Sequence, residues 1–260
     1  SISGVSALQS SGVSLGSGDT LAFTNSGQYV QITAGDSVDL TFSGYSSGRR
    51  ANITTGDSAS VNFAADTQNR QVTVTTGNGA NTLSGLNTSS SVTTGTGTDR
   101  ISFVDGSALG TSTLDAGSGI DTLGFTNVVS VDDSAFAHVA GVEFLSLTGA
   151  SAVTLGSDAK DAGFQTIYGG AGNNTITHTA DDTFALNIQG AAGQNNLLNV
   201  DFGGATGGEG SLPSFNADTL NGGAGGNNTL NVGVVTALSD SDFAKVSNFS
   251  ALSLTGDRKS

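Results

Sequence analysis

A chain of 260 residues is long enough to bury a sizeable core, yet only 36% of it is hydrophobic and it contains neither Trp nor Met. An elongated repeat protein with a narrow core tolerates such a composition. The net charge of −14 disfavours nucleic acid as a partner. Because cysteine is absent, disulfides and thiol chemistry are excluded, and there is no apolar run of about 18 residues that could span a membrane.

The glycine content and the start of the chain give two further expectations. Glycine occurs 39 times against a single proline, Pro213, which indicates many tight turns without a collagen period. The chain begins at Ser1 without Met and without a signal peptide. We therefore expect a processed product or an excised piece of a larger protein.

A repeat of about 20 residues occupies the first half of the chain. Each copy consists of an aliphatic residue, a glycine turn, an acidic or amide residue and an alternating apolar pair, as in LDAGSGIDTLGF at 114–125. Equivalent turns are marked by Gly16, Gly35, Gly56, Gly77, Gly95 and Gly117, in steps of 19, 21, 21, 18 and 22 residues. Such steps predict one β-solenoid coil per copy, with coils stacked about 4.8 Å apart.

Stacking converts equivalent positions into columns of side chains. The first column is Ile32, Ile53, Val74, Val92 and Leu114. The second is Leu21, Leu40, Val61, Leu83, Ile101 and Leu123. The third is Phe23, Phe42, Phe63, Phe103 and Phe125, and the copy that contains Leu83 lacks its Phe. Because residues two apart in a strand face the same side, we expect the second and third columns to form the core. A disordered chain, which the low hydrophobicity would also allow, has no reason to keep such columns in register.

The pattern changes after Phe125, which divides the chain into regular coils of about 20 residues at 1–125 and a continuing solenoid with a longer repeat at 126–260. Asp133 and its polar neighbours are good helix N-caps and predict a short helical turn.

The longer repeat is visible as a near-copy within the second half. The segment 133–149 recurs at 240–256, an offset of 107 residues, and the wider module 117–149 resembles 224–256. The expected fold class is therefore all-β: a right-handed parallel β-solenoid, of the β-helix or β-roll kind, with short helical turn insertions.

The glycine turns share one nonapeptide form. GGAGNNTIT at 169–177 has Asn174 at its sixth position, while TGTGTDRIS and AGSGIDTLG have Asp99 and Asp121 there; TGNGANTLS and GAAGQNNLL have Asn81 and Asn195. The form resembles the calcium-binding repeat of repeat-in-toxin (RTX) proteins, Gly-Gly-x-Gly-x-Asp-x-aliphatic-x. The longer module is similar to the β-solenoid domains of calcium-dependent bacterial surface-layer (S-layer) proteins.

The resemblance implies calcium sites in these turns. Calcium takes about six to eight oxygen ligands, and a glycine turn can aim several carbonyls at one point while an Asp adds charge. The implied ligands are Gly95, Gly97, Asp99, Gly117, Gly119 and Asp121. The two Asp residues lie one coil apart, so stacking should bring them close, and a Ca²⁺ between them would remove their repulsion.

The amide turns are weaker candidates for calcium. Asn81, Asn174 and Asn195 supply an oxygen without charge, so these sites should bind calcium weakly or not at all. The alternative is that Asn and Asp stand here because they suit turns and form hydrogen-bonded ladders without metal.

Catalysis finds little support in the sequence. His138 and His178 are the only histidines and lie far apart, and we expect incidental surface positions for both. A secreted β-helical polysaccharide-active enzyme would need converging carboxylates or a basic cluster, which eight scattered basic residues do not offer. Ice binding is a third class, because Thr54–Thr55, Thr75–Thr76 and Thr93–Thr94 form a threonine column.

We therefore expect an extracellular, cell-surface protein with a structural rather than an enzymatic function. The chain would be a calcium-stabilised solenoid segment of a bacterial S-layer, with Ca²⁺ as cofactor and other copies as partners in a lattice or array. Cell-surface polysaccharide is a further expected partner; nucleic acid and a membrane span are not expected. The alternatives are a calcium-dependent adhesin that binds a cell surface or ice, and a secreted polysaccharide-active enzyme.

Overall fold

A computed structural model of the chain describes residues 2–5, 12–24, 29–43, 50–65, 71–179, 184–201, 218–233 and 240–255. It confirms the expected class, because the described residues form parallel strands that stack coil upon coil as a β-solenoid. The chain divides into two compact units. Unit 1 is Ser1–Asn127 with Ala135–Glu143, and unit 2 is Val128–Ser134 with Phe144–Ser260.

Two parallel sheets build unit 1, with strands numbered in chain order. The first sheet contains, in stacking order, β1 (Ile2–Val5), β3 (Thr20–Thr24), β5 (Asp39–Ser43), β7 (Ser60–Ala65), β9 (Thr82–Leu86), β12 (Arg100–Phe103) and β15 (Thr122–Phe125). The second contains β2 (Gly12–Leu15), β4 (Tyr29–Ala34), β6 (Arg50–Thr54), β8 (Gln71–Thr75), β10 (Ser91–Thr93), β13 (Thr113–Asp115) and β17 (Val139–Ala140). A short pair, β11 (Thr96–Gly97) and β14 (Ser118–Gly119), joins two of the turns. The helix α1 (Gly106–Gly110) follows β12, and Asp133–Phe136 is a 3-10 turn where a helical turn was expected.

The three predicted columns form in unit 1. Ile32, Ile53, Val74, Val92 and Leu114 are successive partners in the second sheet, and Leu21, Leu40, Val61, Leu83, Ile101 and Leu123 are successive partners in the first. Both columns are 2% exposed or less. The first column is therefore as buried as the second and belongs to the core.

The phenylalanine column continues through the coil that lacks a Phe. Phe42 and Phe63 stack with ring centroids 4.7 Å apart, and Phe103 pairs with Phe125. Between them the strand β9 is irregular, so that Phe103 pairs with Leu86 rather than with a residue two after Leu83. Leu86 is fully buried and fills the position of the missing Phe. The side chain of Phe23 lies outside the described residues.

The expected threonine column is wrong for half of its members. Thr54, Thr75 and Thr93 are exposed and pair with one another along the second sheet. Their neighbours Thr55, Thr76 and Thr94 are only 4–6% exposed. Adjacent residues of an extended chain point to opposite sides, so one threonine of each pair faces the interior.

Unit 2 is also built from two parallel sheets. One contains β18 (Phe144–Ser146), β20 (Thr166–Tyr168), β22 (Asn187–Gln189), β24 (Thr219–Asn221) and β26 (Val246–Ser247). The other contains β16 (Ser130–Val131), β19 (Ala152–Leu155), β21 (Thr175–His178), β23 (Leu197–Asp201), β25 (Thr229–Gly233) and β27 (Ala251–Thr255). The helix α2 (Ser157–Ala162) and a 3-10 turn at Asp240–Phe243 complete it. None of the helices in the described ranges is long and apolar enough to cross a membrane.

A carboxylate from a preceding coil caps α2. Asp133 Oδ1 accepts hydrogen bonds from the N–H groups of Gly156 and Ala159, at 2.7 and 2.9 Å, and Oδ2 accepts one from Asp158 at 3.1 Å. The first N–H groups of a helix have no partner within the helix, and an anion is favoured there by the helix dipole. Asp133 was expected to cap its own turn, and in the structure it caps the helix of the following coil.

The buried columns of unit 2 become solvent-exposed at the last strand that the structure describes. Leu145, Ile167, Ile188 and Leu220 pair in sequence and are 1% exposed or less. Leu252 and Leu254 on β27 pair with buried Leu230 and Val232, yet they are 51% and 49% exposed. The apolar side of β27 is thus open to solvent, whereas the equivalent side chains of β25 are buried.

The aromatic column allows a direct test of the core. Phe63→Ala or Phe103→Ala should cost about 3–5 kcal/mol of unfolding free energy, because each leaves a cavity among side chains that cannot close around it. Equilibrium unfolding in urea measures this loss. Thr75→Ala, on the exposed side of β8, is the control and should change stability by no more than about 0.5 kcal/mol. Near-neutral results for both Phe variants would contradict the buried column.

Candidate functional site

One polar residue is buried at the start of each of three successive first-sheet strands of unit 1, whereas the two coils before them have buried Val38 and Ala59 at this position. These residues are Asn81, Asp99 and Asp121, which precede β9, β12 and β15 and are 1% exposed or less. Glu143 lies one coil further and is half-buried. We call these four residues the acidic column.

Each side chain of the acidic column is bonded to the backbone of the preceding coil. Asn81 Oδ1 accepts the N–H of Ala59 at 2.9 Å, and Asp99 Oδ1 accepts the N–H of Asn81 at 2.8 Å. Asp121 Oδ1 accepts the N–H of Asp99 at 2.7 Å, and Glu143 Oε2 accepts the N–H of Asp121 at 2.8 Å. A buried N–H must be paired, so one oxygen of every member is committed to linking two coils.

The side chain of Asn81 is bonded to the carbonyl groups of its own glycine turn. Asn81 Nδ2 donates to Gly77 O at 3.0 Å and to Gly79 O at 3.2 Å, both within its own turn. The glycines of successive turns stack closely: a Cβ on Gly117 would clash with Gly95 O, and one on Gly119 with Gly97 O. Gly117 and Gly119 also have φ values of +82° and +146°, which side chains disfavour. Glycine is therefore required at these two positions, because any side chain would collide with the carbonyl group of the glycine in the preceding coil.

Stacking brings the two Asp turns together, as expected from the sequence. Gly97 pairs with Gly119 in the β11–β14 ladder, and the N–H groups of Ser118 and Ile120 donate to the carbonyls of Gly95 and Gly97 at 3.3 and 3.1 Å. The turns that carry Asp99 and Asp121 therefore lie directly on one another. Six of the residues implied as calcium ligands meet in this place: Gly95, Gly97, Asp99, Gly117, Gly119 and Asp121.

Two oxygen atoms in this part of the column lack a partner. Among the described residues, the buried side-chain atoms without a hydrogen bond include Asp99 Oδ2 and Asp121 Oδ2. Asn81 uses its second side-chain atom to donate to two carbonyls, whereas an ionised Asp has no hydrogen to donate. At the equivalent position Asp99 and Asp121 carry an acceptor instead of a donor. Buried acceptors of this kind are costly unless a proton or a cation pairs with them.

The pKa of the Asp121 carboxyl is consistent with a buried carboxylate oxygen that has no partner. Burial raises the pKa of its carboxyl from the ordinary value of 3.8 to about 6. The hydrogen bond from the Asp99 backbone opposes the rise in pKa, while the negative charges of Asp99 and Glu143 add to it. The folded chain therefore holds a proton on Asp121 more tightly than the unfolded chain does.

The available ligand atoms fit a hard divalent cation such as calcium. Backbone carbonyl and carboxylate oxygens are the ligands that calcium prefers, and both kinds occur in the two stacked turns. In the described ranges no group of three or more His, Cys, Asp or Glu side chains lies close enough together to hold a metal ion. Carbonyl oxygens of the glycine turns would therefore have to supply most of the ligands.

The turns of unit 2 carry amides in place of carboxylates. Asn174, Asn196 and Asn228 are buried, 5% exposed or less, and we call them the asparagine column. Their oxygens repeat the same link between coils: Asn174 Oδ1, Asn196 Oδ1 and Asn228 Oδ1 accept the N–H groups of Ser151, Asn174 and Asn196 at 3.2, 3.2 and 2.9 Å.

The sequence assignment of Asn195 to this column is wrong by one residue. Asn195 is exposed, and its Oδ1 accepts the N–H of Asn227 in an outer ladder. Asn196 occupies the buried position, because its turn is one residue longer: Asn196 Nδ2 donates to Ala191 O, five residues earlier, while Asn174 Nδ2 donates to Gly170 O, four residues earlier. Counting a fixed number of residues from the first glycine of the turn therefore selects the exposed Asn195 instead of the buried Asn196.

Sequence reasoning also missed Glu143 and Asn228. Glu143 follows Asp121 by 22 residues, the same step that separates Asp99 from Asp121. Asn228 precedes Leu230 by two residues, as Asn174 precedes Ile176. Counting back from the first buried residue of the following strand would have found Asn196 and Asn228.

The two histidines differ in environment. His138 is exposed, as expected. His178 is buried, contrary to expectation, with Nδ1 3.2 Å from Asp218 Oδ2 and the ring edge-on to Phe184. Asp218 Oδ1 in turn accepts the N–H of Leu186 at 2.8 Å. The carboxylate of Asp218 thus links His178 of β21 to the backbone of Leu186, which lies just before β22.

Comparison of the sequence with protein-family models found no match, and no curated protein or solved structure was significantly similar to the chain. The resemblance to RTX and S-layer proteins therefore rests on the turn motif and the longer module, and the parallel β-solenoid rests on the fold described above.

The raised pKa of Asp121 predicts a pH dependence in chelator. The folded state binds the proton more tightly than the unfolded state, so the stability that Asp121 contributes is present below pH 3.8 and is lost as pH rises to about 6. Asp121→Asn should remove this part of the slope of unfolding free energy against pH. Asp39→Asn, an exposed position on β5, controls for the loss of one negative charge. Identical slopes in wild type and Asp121→Asn would contradict the assignment.

Proposed function

We propose that this chain is a calcium-stabilised β-solenoid segment of a secreted bacterial surface-layer protein, with a structural and assembly function. The observation that carries the proposal is the pair of buried, unpartnered oxygens Asp99 Oδ2 and Asp121 Oδ2 between stacked glycine turns. The turn motif that contains them resembles the calcium-binding repeat of RTX proteins.

Calcium would supply the positive charge that this stretch of the acidic column lacks. Gly95, Gly97, Gly117 and Gly119 would offer carbonyl oxygens, and Asp99 and Asp121 would offer their second carboxylate oxygens. Their first oxygens remain bonded to the N–H groups of the coils before them. Ion binding would thus add to a link that already joins coil to coil, and binding free energy would become folding free energy.

Assembly is supported by the open apolar side of β27 and by the net charge. Leu252 lies with Leu230, Phe243, Val246 and Phe249 around a cavity of about 290 Å³, and about half of its surface is exposed. An uncovered strand with apolar side chains favours pairing with another strand. A net charge of −14 opposes such contacts between copies until divalent cations reduce the repulsion.

A second candidate, a surface-binding adhesin or ice binder, is favoured by the exposed threonines. Thr33, Thr54, Thr75 and Thr93 are successive partners along the second sheet and all are exposed. They place hydroxyl groups about 4.8 Å apart on one sheet face. Such a face suits an ordered, neutral surface such as ice or a cell-surface polysaccharide. A polysaccharide-active enzyme has no comparable supporting observation among the described residues.

Calcium should raise the melting temperature of the chain, and a chelator should lower it. At a free calcium concentration about 100-fold above Kd the stabilisation is about 2.7 kcal/mol, which is about 5–10 °C for a protein of this size. Circular dichroism melting in excess chelator and in millimolar CaCl₂ measures the shift, with NaCl at matched ionic strength as control. Equal melting temperatures in all three solutions would rule out the calcium proposal.

Calcium should also promote self-association through the open side of β27. Light scattering should increase with CaCl₂ but not with NaCl at equal ionic strength. Leu252→Asp with Leu254→Asp should abolish the increase by placing charge on the apolar side, while the calcium-dependent rise in melting temperature persists. Thr33→Asp with Ser91→Asp, at exposed positions, adds the same charge elsewhere and should still assemble. Monomeric wild type that shows thermal hysteresis would favour the ice binder.

A further inference from the structure

We infer that the asparagine column of unit 2 replaces the cation with its own amide groups, so that calcium controls the folding of unit 1 but not the folding of unit 2. This rests on the proposed calcium function of the acidic column and adds that the two units respond differently. Of the nine residues that the sequence assigns to calcium, Asn81, Asn174 and Asn195 are then not ligands.

The amide nitrogens already bind the carbonyls of the turns. Asn174 Nδ2 donates to Gly170 O and Gly172 O at 2.8 Å each and lies 3.1 Å from Asn196 Oδ1. Asn196 Nδ2 donates to Ala191 O at 3.0 Å and to Gly222 O at 2.9 Å. The turn carbonyls of the asparagine column therefore face an N–H donor.

The last member of the column repeats the arrangement with the following turn. Asn228 Nδ2 donates to Gly223 O at 2.8 Å, to Gly225 O at 3.1 Å and to Asn248 O at 3.0 Å. No buried side-chain nitrogen or oxygen of Asn174, Asn196 or Asn228 lacks a hydrogen bond. A cation here would have to displace N–H groups that are fully paired, and the three column residues themselves carry no negative charge for it to neutralise.

Asn81 marks the boundary between the two arrangements within unit 1. Its Nδ2 donates to Gly77 O, Gly79 O and also to Asp99 Oδ1, the last at 2.9 Å. The amide thus satisfies its own turn and one oxygen of the next residue in the column. Thr76 Oγ1 in the Asn81 turn also lacks a partner, but it is a neutral hydroxyl, and the unpartnered carboxylate oxygens begin at Asp99. The calcium-dependent stretch therefore starts with the Gly95–Gly97 turn.

Asn and Asp side chains have nearly the same shape, so a single atom distinguishes the two columns. Where Asn presents a hydrogen-bond donor to the turn carbonyls, Asp presents an acceptor and a negative charge. The acidic column is stable only with a proton or a cation, whereas the asparagine column is complete by itself. Removal of calcium should loosen the coils around Asp99 and Asp121 and leave those around Asn174 and Asn196 folded.

Hydrogen exchange followed by mass spectrometry on the whole chain tests this division, with CaCl₂ or excess chelator as the only variable. Exchange reports local opening. Calcium should slow exchange about tenfold or more in peptides covering 92–103 and 113–125, and by less than about twofold in peptides covering 166–178 and 186–200. Equal protection of both sets would overturn the inference while supporting the calcium proposal. No calcium effect on either set would overturn the calcium proposal.

Exchange of Asp for Asn in the acidic column tests the amide replacement without calcium. Asp99→Asn with Asp121→Asn should slow exchange of 92–103 and 113–125 in chelator to near the calcium-bound level of wild type and abolish the calcium effect. Asp36→Asn with Asp57→Asn is the matched control, since these exposed residues also lie one coil apart and are linked by a hydrogen bond from Asp57 N–H to Asp36 Oδ1. The control should keep the calcium effect. Exchange no slower than wild type in chelator would overturn the amide replacement.

The reverse change gives an independent reading. Asn174→Asp with Asn196→Asp should make exchange of 166–178 and 186–200 faster in chelator and restorable by CaCl₂. Unchanged exchange would show that the turn carbonyls of unit 2 do not depend on the amide donor. Faster exchange that calcium does not reverse would show that a cation cannot take the place of the donor, and either result would count against the inference.

Discussion

The structure depends on the hydrogen bond between a buried side-chain oxygen and the backbone N–H of the preceding coil. Each coil must turn from one sheet to the next, and at that point a buried N–H has no partner in a strand. Asn81, Asp99 and Asp121 supply the missing acceptor in unit 1, as Asn174 and Asn196 do in unit 2. A net contribution of about 1 kcal/mol per bond is modest, but a missing acceptor would leave a buried N–H unpaired in each of these coils.

Stacking has opposite consequences for apolar and for charged columns. An aliphatic or aromatic column gains with each added coil, because like side chains pack on like and exclude water. A carboxylate column loses, because each added charge is buried close to the last. Burial is the main cause of the raised pKa of Asp121, and the charges of Asp99 and Glu143 in the same column add to it. Only a hydrogen-bond donor, a proton or a cation can offset this cost. The asparagine amides supply the donor in unit 2, whereas the side chains of Asp99 and Asp121 in unit 1 have none.

That difference is consistent with the calcium-dependent folding proposed for unit 1. A neutral amide column is complete under all conditions, so unit 2 can form without an ion. Under the proposed calcium function, the acidic column would fold fully only with a bound cation or proton, and unit 1 would respond to the calcium concentration. A solenoid with both columns would keep a stable part while the other part responds.

The sequence alone determined the repeat and the register of the apolar columns, because a constant step and a period of two residues fix which side chains stack. It also determined that Asp99 and Asp121 meet, since both follow full-length glycine turns. The tertiary structure decided the rest. Asn196 rather than Asn195 enters the column because one extra residue in the turn changes which side chain faces inward, and Leu86 replaces the missing Phe because β9 is irregular. Which carboxylate oxygens lack a donor depends on atoms of the adjacent coils, and those contacts exist only after the coils have stacked.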